Sequence, residues 1–277
     1  MVKDEGAKRN TGRATGGGTA GARKVRSGGG GGGKRWFYIV LVVLLIGGIA
    51  FLSYVTTRPP QQSMIQMDSA VALVPNQGHV IGSDSAPVEV VEFADFECPG
   101  CGSFATLAEP DVRSRLVNTG IIRFRFIDFP LSMHRNTRVA HLAAWCAGEQ
   151  GKFWEMHDAI FQNQDRWNGE TTSKPAQPLA ALAGSVGVNA AKYDSCMTAR
   201  KYAGEIQANY DEAVRRQIQS TPTFLIGNKR LVGAAPYDKF KAQVDAAVAE
   251  AKQTGRQAPS VKNPRLDVPR ERPKASR

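Results

Sequence analysis

Residues 92–101 read Glu92-Phe93-Ala94-Asp95-Phe96-Glu97-Cys98-Pro99-Gly100-Cys101, and they continue the run Val88-Glu89-Val90-Val91. That β-branched run predicts a short strand buried on both faces. Helix-forming sequence from Gly102 to Leu116 follows, so a strand runs into a C-x-x-C and on into a helix. With Cys98 at the N-cap, Pro99 falls at the first helical position, where its fixed φ suits the helix and its missing N–H would have had no partner. The N–H groups of Gly100 and Cys101 then point at the Cys98 sulfur. Together with the positive end of the helix dipole they favour a thiolate over a thiol. A depressed pKa makes Cys98 both a nucleophile near neutral pH and a good leaving group. Cys101, three residues on, shares that helix face and is close enough to close a disulfide. Its expected part is to resolve a mixed disulfide formed at Cys98.

The neighbours modulate this. Glu97 places a negative charge beside Cys98 and opposes the thiolate, and Gly100 supplies no cation. Glu92, six residues before Cys98, is either a buried acid that exchanges a proton with Cys101 or a strand-end residue that reaches water. A zinc site needs two further ligands at a recognisable spacing, and His79, His134, His141 and His157 are scattered. A C-x-x-C also closes too short a loop to act as a structural clamp. The residues thus point to a redox dithiol that calls for neither a metal nor a cofactor.

Outward from this stretch, Ile121–Phe129 reads as a second strand after the turn Asn118-Thr119-Gly120, with Arg123 and Arg125 alternating against Phe124 and Phe126. Helices are expected over Arg138–Ala147, Phe153–Gln162, Leu179–Val186, Ala190–Lys201 and Glu205–Gln217. A hairpin of Thr223–Ile226 and Arg230–Val232 turns at Gly227-Asn228. An amphipathic helix, Tyr237–Ala251, closes the pattern. This order describes an α/β domain with a helical insertion.

The chain has 277 residues and a formal charge of +11, which invites a nucleic-acid reading. Residues 1–35 hold nine Lys and Arg against two acidic residues, and 252–277 hold eight against two, whereas 59–251 hold eighteen against twenty-one. The basic excess lies in the two ends, so the folded body offers no nucleic-acid surface. Residues 1–35 include twelve Gly and present no apolar face, so they read as a disordered tail, as does the basic, Pro-containing segment 252–277. Trp36–Val55 carries no charge over twenty residues, about the 30 Å of a bilayer core, with aromatic residues at both ends. It is longer than a signal-peptide core and no A-x-A site follows, which predicts an uncleaved anchor. The positive charge before it keeps the amino terminus in the cytoplasm and puts everything after residue 58 outside. Residues 56–80, opened by Pro59-Pro60, read as a tether to a domain over 81–251.

At Glu92 to Cys101 the sequence resembles the thioredoxin-fold thiol:disulfide oxidoreductases, in particular their membrane-anchored DsbA-like branch. Two further stretches carry the resemblance: Cys146-Ala-Gly-Glu-Gln-Gly-Lys-Phe-Trp-Glu-Met-His-Asp158, similar to that branch's inserted helices, and Ser220-Thr221-Pro222-Thr223-Phe224, similar to its cis-proline loop. The likeness spans about residues 78–250. It implies a thioredoxin-like fold with a helical subdomain inserted over about 132–217, behind one N-terminal transmembrane helix. In that family's pattern Glu92 is the buried acid, and Thr221, Pro222, Pro99 and Gly100 line the substrate site. A cis Pro222 would turn the Thr221 backbone toward Cys98; on the residues alone, a trans proline opening a strand remains open. Thr221 also offers a hydroxyl near the sulfurs.

Cys146 and Cys196 each suit a buried apolar position, but outside the cytoplasm two cysteines of one subdomain are expected to pair. His134, His141 and His157 read as helix-surface residues, and Trp145, Phe153 and Trp154 as core. The expected activity is oxidation of exported client proteins through Cys98–Cys101, with a membrane partner restoring the disulfide at the plasma membrane. The alternatives are the reverse chemistry, reducing client or apocytochrome disulfides, and a non-catalytic scaffold that keeps the fold.

Overall fold

The computed structural model describes residues 32–57, 64–66 and 77–255. Of the tails expected over 1–35 and 252–277, residues 1–31 and 256–277 lie outside the described residues, as does most of the 56–80 tether, while 32–35 and 252–254 are helical. The chain divides into two compact units, 1–59 and 60–277. The first holds α1 (Gly32–Thr57), whose segment Lys34–Tyr54 is long and apolar enough to cross a membrane.

The second unit runs β1 (Met64–Gln66), β2 (His79–Ile81), β3 (Val88–Ala94), α2 (Pro99–Leu107), α3 (Glu109–Val112), β4 (Ile122–Asp128), α4 (Thr137–Gly148), α5 (Phe153–Gln162), α6 (Gln164–Trp167), α7 (Ala176–Ser185), α8 (Ala190–Thr198), α9 (Ala203–Arg215), β5 (Thr223–Ile226), β6 (Lys229–Val232) and α10 (Tyr237–Thr254). Among the described residues six strands lie in the order β1-β6-β5-β3-β4-β2. Only β3 and β4 are parallel, joined by the α2–α3 crossover; the other neighbours are antiparallel.

Three expectations need correction. The segment read as a plain tether contains β1 and the start of β2. Each is three residues long and pairs through its backbone with β6 or β4, too short to leave a side-chain periodicity. The single helix expected over 102–116 is broken. Pro110 disfavours helical continuation, and Ala108 caps α2 at φ −117° before α3 begins and a π-turn follows over 113–117. Finally, α10 continues past residue 251 to Thr254, where Gly255 at φ 63° ends it in the left-handed region.

Both sheet faces are covered. Val90, Phe124 and Phe224 meet Phe104, Val112, Phe240 and Val244 of α2, α3 and α10 on one face. Val91, Phe93, Ile127 and Leu225 meet Ala213 of α9 and Ile218 on the other. On that second face the alternating Arg123 and Arg125 are not solvated. Both are almost wholly buried and share Glu89, with Arg125 Nε 2.7 Å from Glu89 Oε1 and its guanidinium also on the Gln77 carbonyl at 2.6 Å. Buried arginines persist because their charge and donors are matched.

Helices α4–α9 are inserted between β4 and β5. Their core joins α4, α5, α7 and α8 through Ala143, Met156, Leu179 and Tyr193, and reaches Phe96, Cys98 and Cys101. Cys146 of α4 and Cys196 of α8 are disulfide-bonded within it, 50 residues apart. His141 and His157, read as surface residues, are fully buried. Their helical stripes face Phe96 and Phe126, and an acid meets one ring nitrogen of each, with His141 Nδ1 2.5 Å from Asp128 and His157 Nδ1 2.8 Å from Asp158, while both Nε2 atoms are buried without a hydrogen-bond partner.

Replacing Cys146 and Cys196 together by Ser should lower stability by up to about 4 kcal/mol, the loop-closure entropy of a 50-residue ring. Denaturant unfolding of the oxidised protein measures it. A second prediction concerns His79, stacked on Phe153 with centroids 3.5 Å apart. Burial pushes its pKa down to about 3, with the Asp128 charge opposing and the His157 charge assisting. Above pH 6.5 the imidazole is neutral folded or unfolded. Between 6.5 and about 3 only the unfolded chain takes up the proton, so stability falls as pH drops through that window. The difference in unfolding free energy between wild type and His79→Phe should shrink steadily from pH 7 to pH 4.

Candidate active site

Parallel β3 and β4 end at the same edge of the sheet, and the groups of interest follow those ends. Cys98 is the N-cap of α2 with Pro99 at the first helical position. It is 9% exposed, while Cys101, one helical turn deeper, is wholly buried; both are free thiols. Thr221–Pro222 is cis, and the Thr221 carbonyl accepts a hydrogen bond from Cys98 Sγ at 3.4 Å. The Thr221 hydroxyl is buried without a partner, and is the donor available once Cys98 ionises. Gly100 completes the wall. A Cβ there would lie 3.3 Å from Pro222 Cδ and 3.6 Å from Cys98 Sγ, so the absent side chain keeps the cleft between them open.

The two sulfurs differ sharply in acidity. Hydrogen bonding from the Cys101 thiol pulls Cys98 down from 9.0 to about 6, against burial, with help from the Thr221 hydroxyl and the N–H groups of Cys101 and Gly100. Burial pushes Cys101 well up, and the charges of Cys98 and Glu92 add to it, while the Asp95 N–H on its sulfur at 3.5 Å opposes. Glu92 is 2% exposed. Burial, then the Glu109 charge, raises its carboxyl well above the usual range, with Arg113 pulling the other way. Burial and the Glu109 charge thus both favour its protonated form.

Sequence reasoning placed Glu97 as a charge working against Cys98. Its carboxylate is instead turned to the insertion, accepting from the N–H of Asn136 at 2.7 Å and of Gly169 at 2.5 Å. Gln164 of α6 reaches the other way and donates to the carbonyls of Phe96 at 2.6 Å and Cys98 at 3.0 Å. The inserted helices thus hold the turn that carries Cys98.

Two groups were missed. One is Asp95, whose carboxylate takes the N–H of Glu97 and Leu131, the Thr137 hydroxyl and His134 Nδ1. The other is the buried set Glu109, Arg113 and His157, with Arg113 2.6 Å from Glu109 and 2.9 Å from Asp158. The signal for Asp95 and His134 was topological: residues just beyond two parallel strands gather at one edge. The signal for Glu109 was Pro110, whose break lets α3 turn its first residue inward. Among the described residues no cluster of His, Cys, Asp and Glu is arranged to hold a metal.

A strand–CxxC–helix opposite a cis-proline loop, on a mixed sheet with a parallel centre, defines a thioredoxin-fold protein with a dithiol site. The sequence pattern of the thioredoxin family matches residues 75–246, and the chain belongs to that family. Disulfide bond formation protein D of Bacillus subtilis is 28% identical over 171 residues, 60% of this chain and 75% of that protein. The crystal structure of oxidised BdbD from Bacillus subtilis superposes with a TM-score of 0.56 at 26% identity, covering 64% of this chain and 98% of that one. Wolbachia pipientis α-DsbA1 gives 0.57 at 22%, covering 66% and 96%. The Na(+)/H(+) antiporter NhaA 3 of Salinispora tropica is 36% identical over 187 residues, 67% of this chain but 27% of the antiporter, so the chain spans about a quarter of that relative.

Absorbance of the thiolate, followed against pH in the reduced protein with Cys101→Ala as a companion, should give a wild-type Cys98 midpoint near 6. Removing the Cys101 donor should raise it. A wild-type midpoint near that of free cysteine would refute the acidity argued for this sulfur.

Proposed function

We propose that the chain is an extracytoplasmic thiol:disulfide oxidoreductase that introduces disulfides into exported proteins. The observation that carries the reading is the pairing of an acidic, surface-reachable Cys98 with a buried, weakly acidic Cys101 beneath it. The relation to a Bacillus disulfide bond formation protein supports it.

In the oxidised enzyme a client thiolate attacks Cys98 Sγ. A client–Cys98 bond forms, the Cys98–Cys101 bond breaks, and the electron pair leaves on Cys101. That buried sulfur needs a proton, and we assign its donation to Glu92, whose protonated form burial favours and whose charge Cys101 feels. A second client thiolate then attacks the client sulfur of the mixed disulfide. The client disulfide forms and Cys98 leaves as the stabilised thiolate. Thr221 and Pro222, facing Pro99 and Gly100, are the surface against which the client chain lies. Electrons pass from sulfur to sulfur, so the exchange calls for no cofactor.

The oxidising direction follows from the same asymmetry. A stabilised Cys98 thiolate lowers the free energy of the reduced enzyme, and so makes its disulfide the stronger oxidant. A membrane redox partner would then accept the electrons. We place α1 in the plasma membrane, with residues 1–35 cytoplasmic by their positive charge and the domain over 81–251 outside.

Cys98→Ala should abolish oxidative refolding of a reduced client, and Cys101→Ala should accumulate client mixed disulfides visible on non-reducing gels. Full activity in Cys98→Ala would sink the mechanism. A reduction potential near −270 mV, that of thioredoxin, would assign the chain to client reduction instead.

A further inference from the structure

We propose that His134, held by Asp95, is the cation of the dithiol site, supplying from the β4–α4 loop the positive charge that the Pro-Gly pair between the cysteines lacks. The inference rests on the redox reading of Cys98 and adds a residue to it.

Asp95 is the hub. Its backbone N–H meets Cys101 Sγ at 3.5 Å, and its carbonyl accepts the N–H of Cys98 at 3.1 Å. Its carboxylate, wholly buried, accepts His134 Nδ1 at 2.8 Å. One residue thus touches the backbone of one cysteine, the sulfur of the other, and the imidazole. The loop carrying His134 is fixed to that hub by two more bonds, from the Leu131 N–H at 2.7 Å and from the Thr137 hydroxyl. His134 is 17% exposed at its side chain, open enough to exchange protons with solvent.

The charge balance favours an imidazolium. The groups facing His134 are Asp95 from the end of β3 and Glu97 and Cys98 from the turn after it. The hydrogen bond to Asp95 raises the His134 pKa most, burial opposes, and the charges of Asp95, Cys98 and Glu97 raise it further. Burial works against the Asp95 charge, but the hydrogen bond from His134, the charge of His141, the Thr137 hydroxyl and the Leu131 N–H outweigh it and keep its pKa low. Asp95 acts as a positioning residue, because it fixes the ring and its protonation without touching the reacting sulfur. Coupling is reciprocal: if the Cys98 thiolate stabilises the imidazolium, the imidazolium stabilises the thiolate by the same free energy.

That reciprocity supplies the test. In the full-length chain in detergent, with histidine labelled at its Cε1 carbon, the His134 titration is read by NMR in reduced wild type and in reduced Cys98→Ala. The His134 midpoint should be higher in wild type by roughly half a unit to one unit. The Cys98 midpoint, from thiolate absorbance, should rise by the same amount in His134→Gln and return toward the wild-type value in His134→Lys. A tenfold loss of thiolate stabilisation moves the reduction potential by about 30 mV toward the reducing side. Equal His134 midpoints in wild type and Cys98→Ala would overturn the proposal, and that comparison leaves His134 itself intact. If Cys98 titrates near 6 whether or not residue 134 is histidine, this inference fails alone. If Cys98 titrates like a free thiol in wild type, the redox reading fails with it.

Discussion

Two sulfurs one helical turn apart must differ in their affinity for a proton, and the arrangement around them serves that difference. Cys98 stands where α2 begins, among hydrogen-bond donors: the Cys101 thiol, two amides and the Thr221 hydroxyl. Cys101 lies one turn inside, where burial outweighs the single Asp95 amide. Negative charge therefore settles on the outer sulfur when the pair is reduced. The break between β3 and α2, Pro99 at the first helical position and the Thr221–Pro222 loop each contribute to the outer position. The sheet beneath supplies the inner one.

Three acids within six residues show how differently buried carboxyl groups are met. Asp95 and Glu97 are as buried as most core side chains, yet each is met by backbone amides that replace the water it has lost. Glu92 is raised by burial and by the charge of Glu109, which favour its protonated form. The same residue type thus anchors the insertion at position 97 and lies beside a second buried acid at position 92. The inserted helices take part directly, since Asn136, Gln164 and Gly169 all bond to the Phe96–Cys98 turn.

Much of this was legible in the residues because it was local. The strand, the N1 proline and the C-x-x-C spacing place Cys98 and Cys101 with no knowledge of the rest of the chain. The helical insertion was visible in its 3.6-residue periodicity, and its register put Cys146 and Cys196 on apolar stripes. What escaped reading was non-local. Three-residue strands such as Met64–Gln66 and His79–Ile81 exist only because an open sheet edge accepts them. His141 looks like a surface residue until Asp128 arrives from the end of β4, and His157 until Arg113 and Glu109 arrive from the other side of the core. Glu97 looked like a charge opposing Cys98 because Asn136 and Gly169, 39 and 72 residues away, could not be seen beside it.

The same non-locality bears on how a site of this kind is tuned. A side chain between the cysteines is the direct place for a cation, but at position 100 it would crowd Pro222 and the Cys98 sulfur. A charge delivered from the loop after β4 avoids that conflict, because β3 and β4 are parallel and their ends coincide. It reaches the dithiol from the side of Asp95, opposite in the hydrogen-bond network to Thr221. The client-facing wall and the electrostatic wall are then built from different segments, and either can change without altering the other.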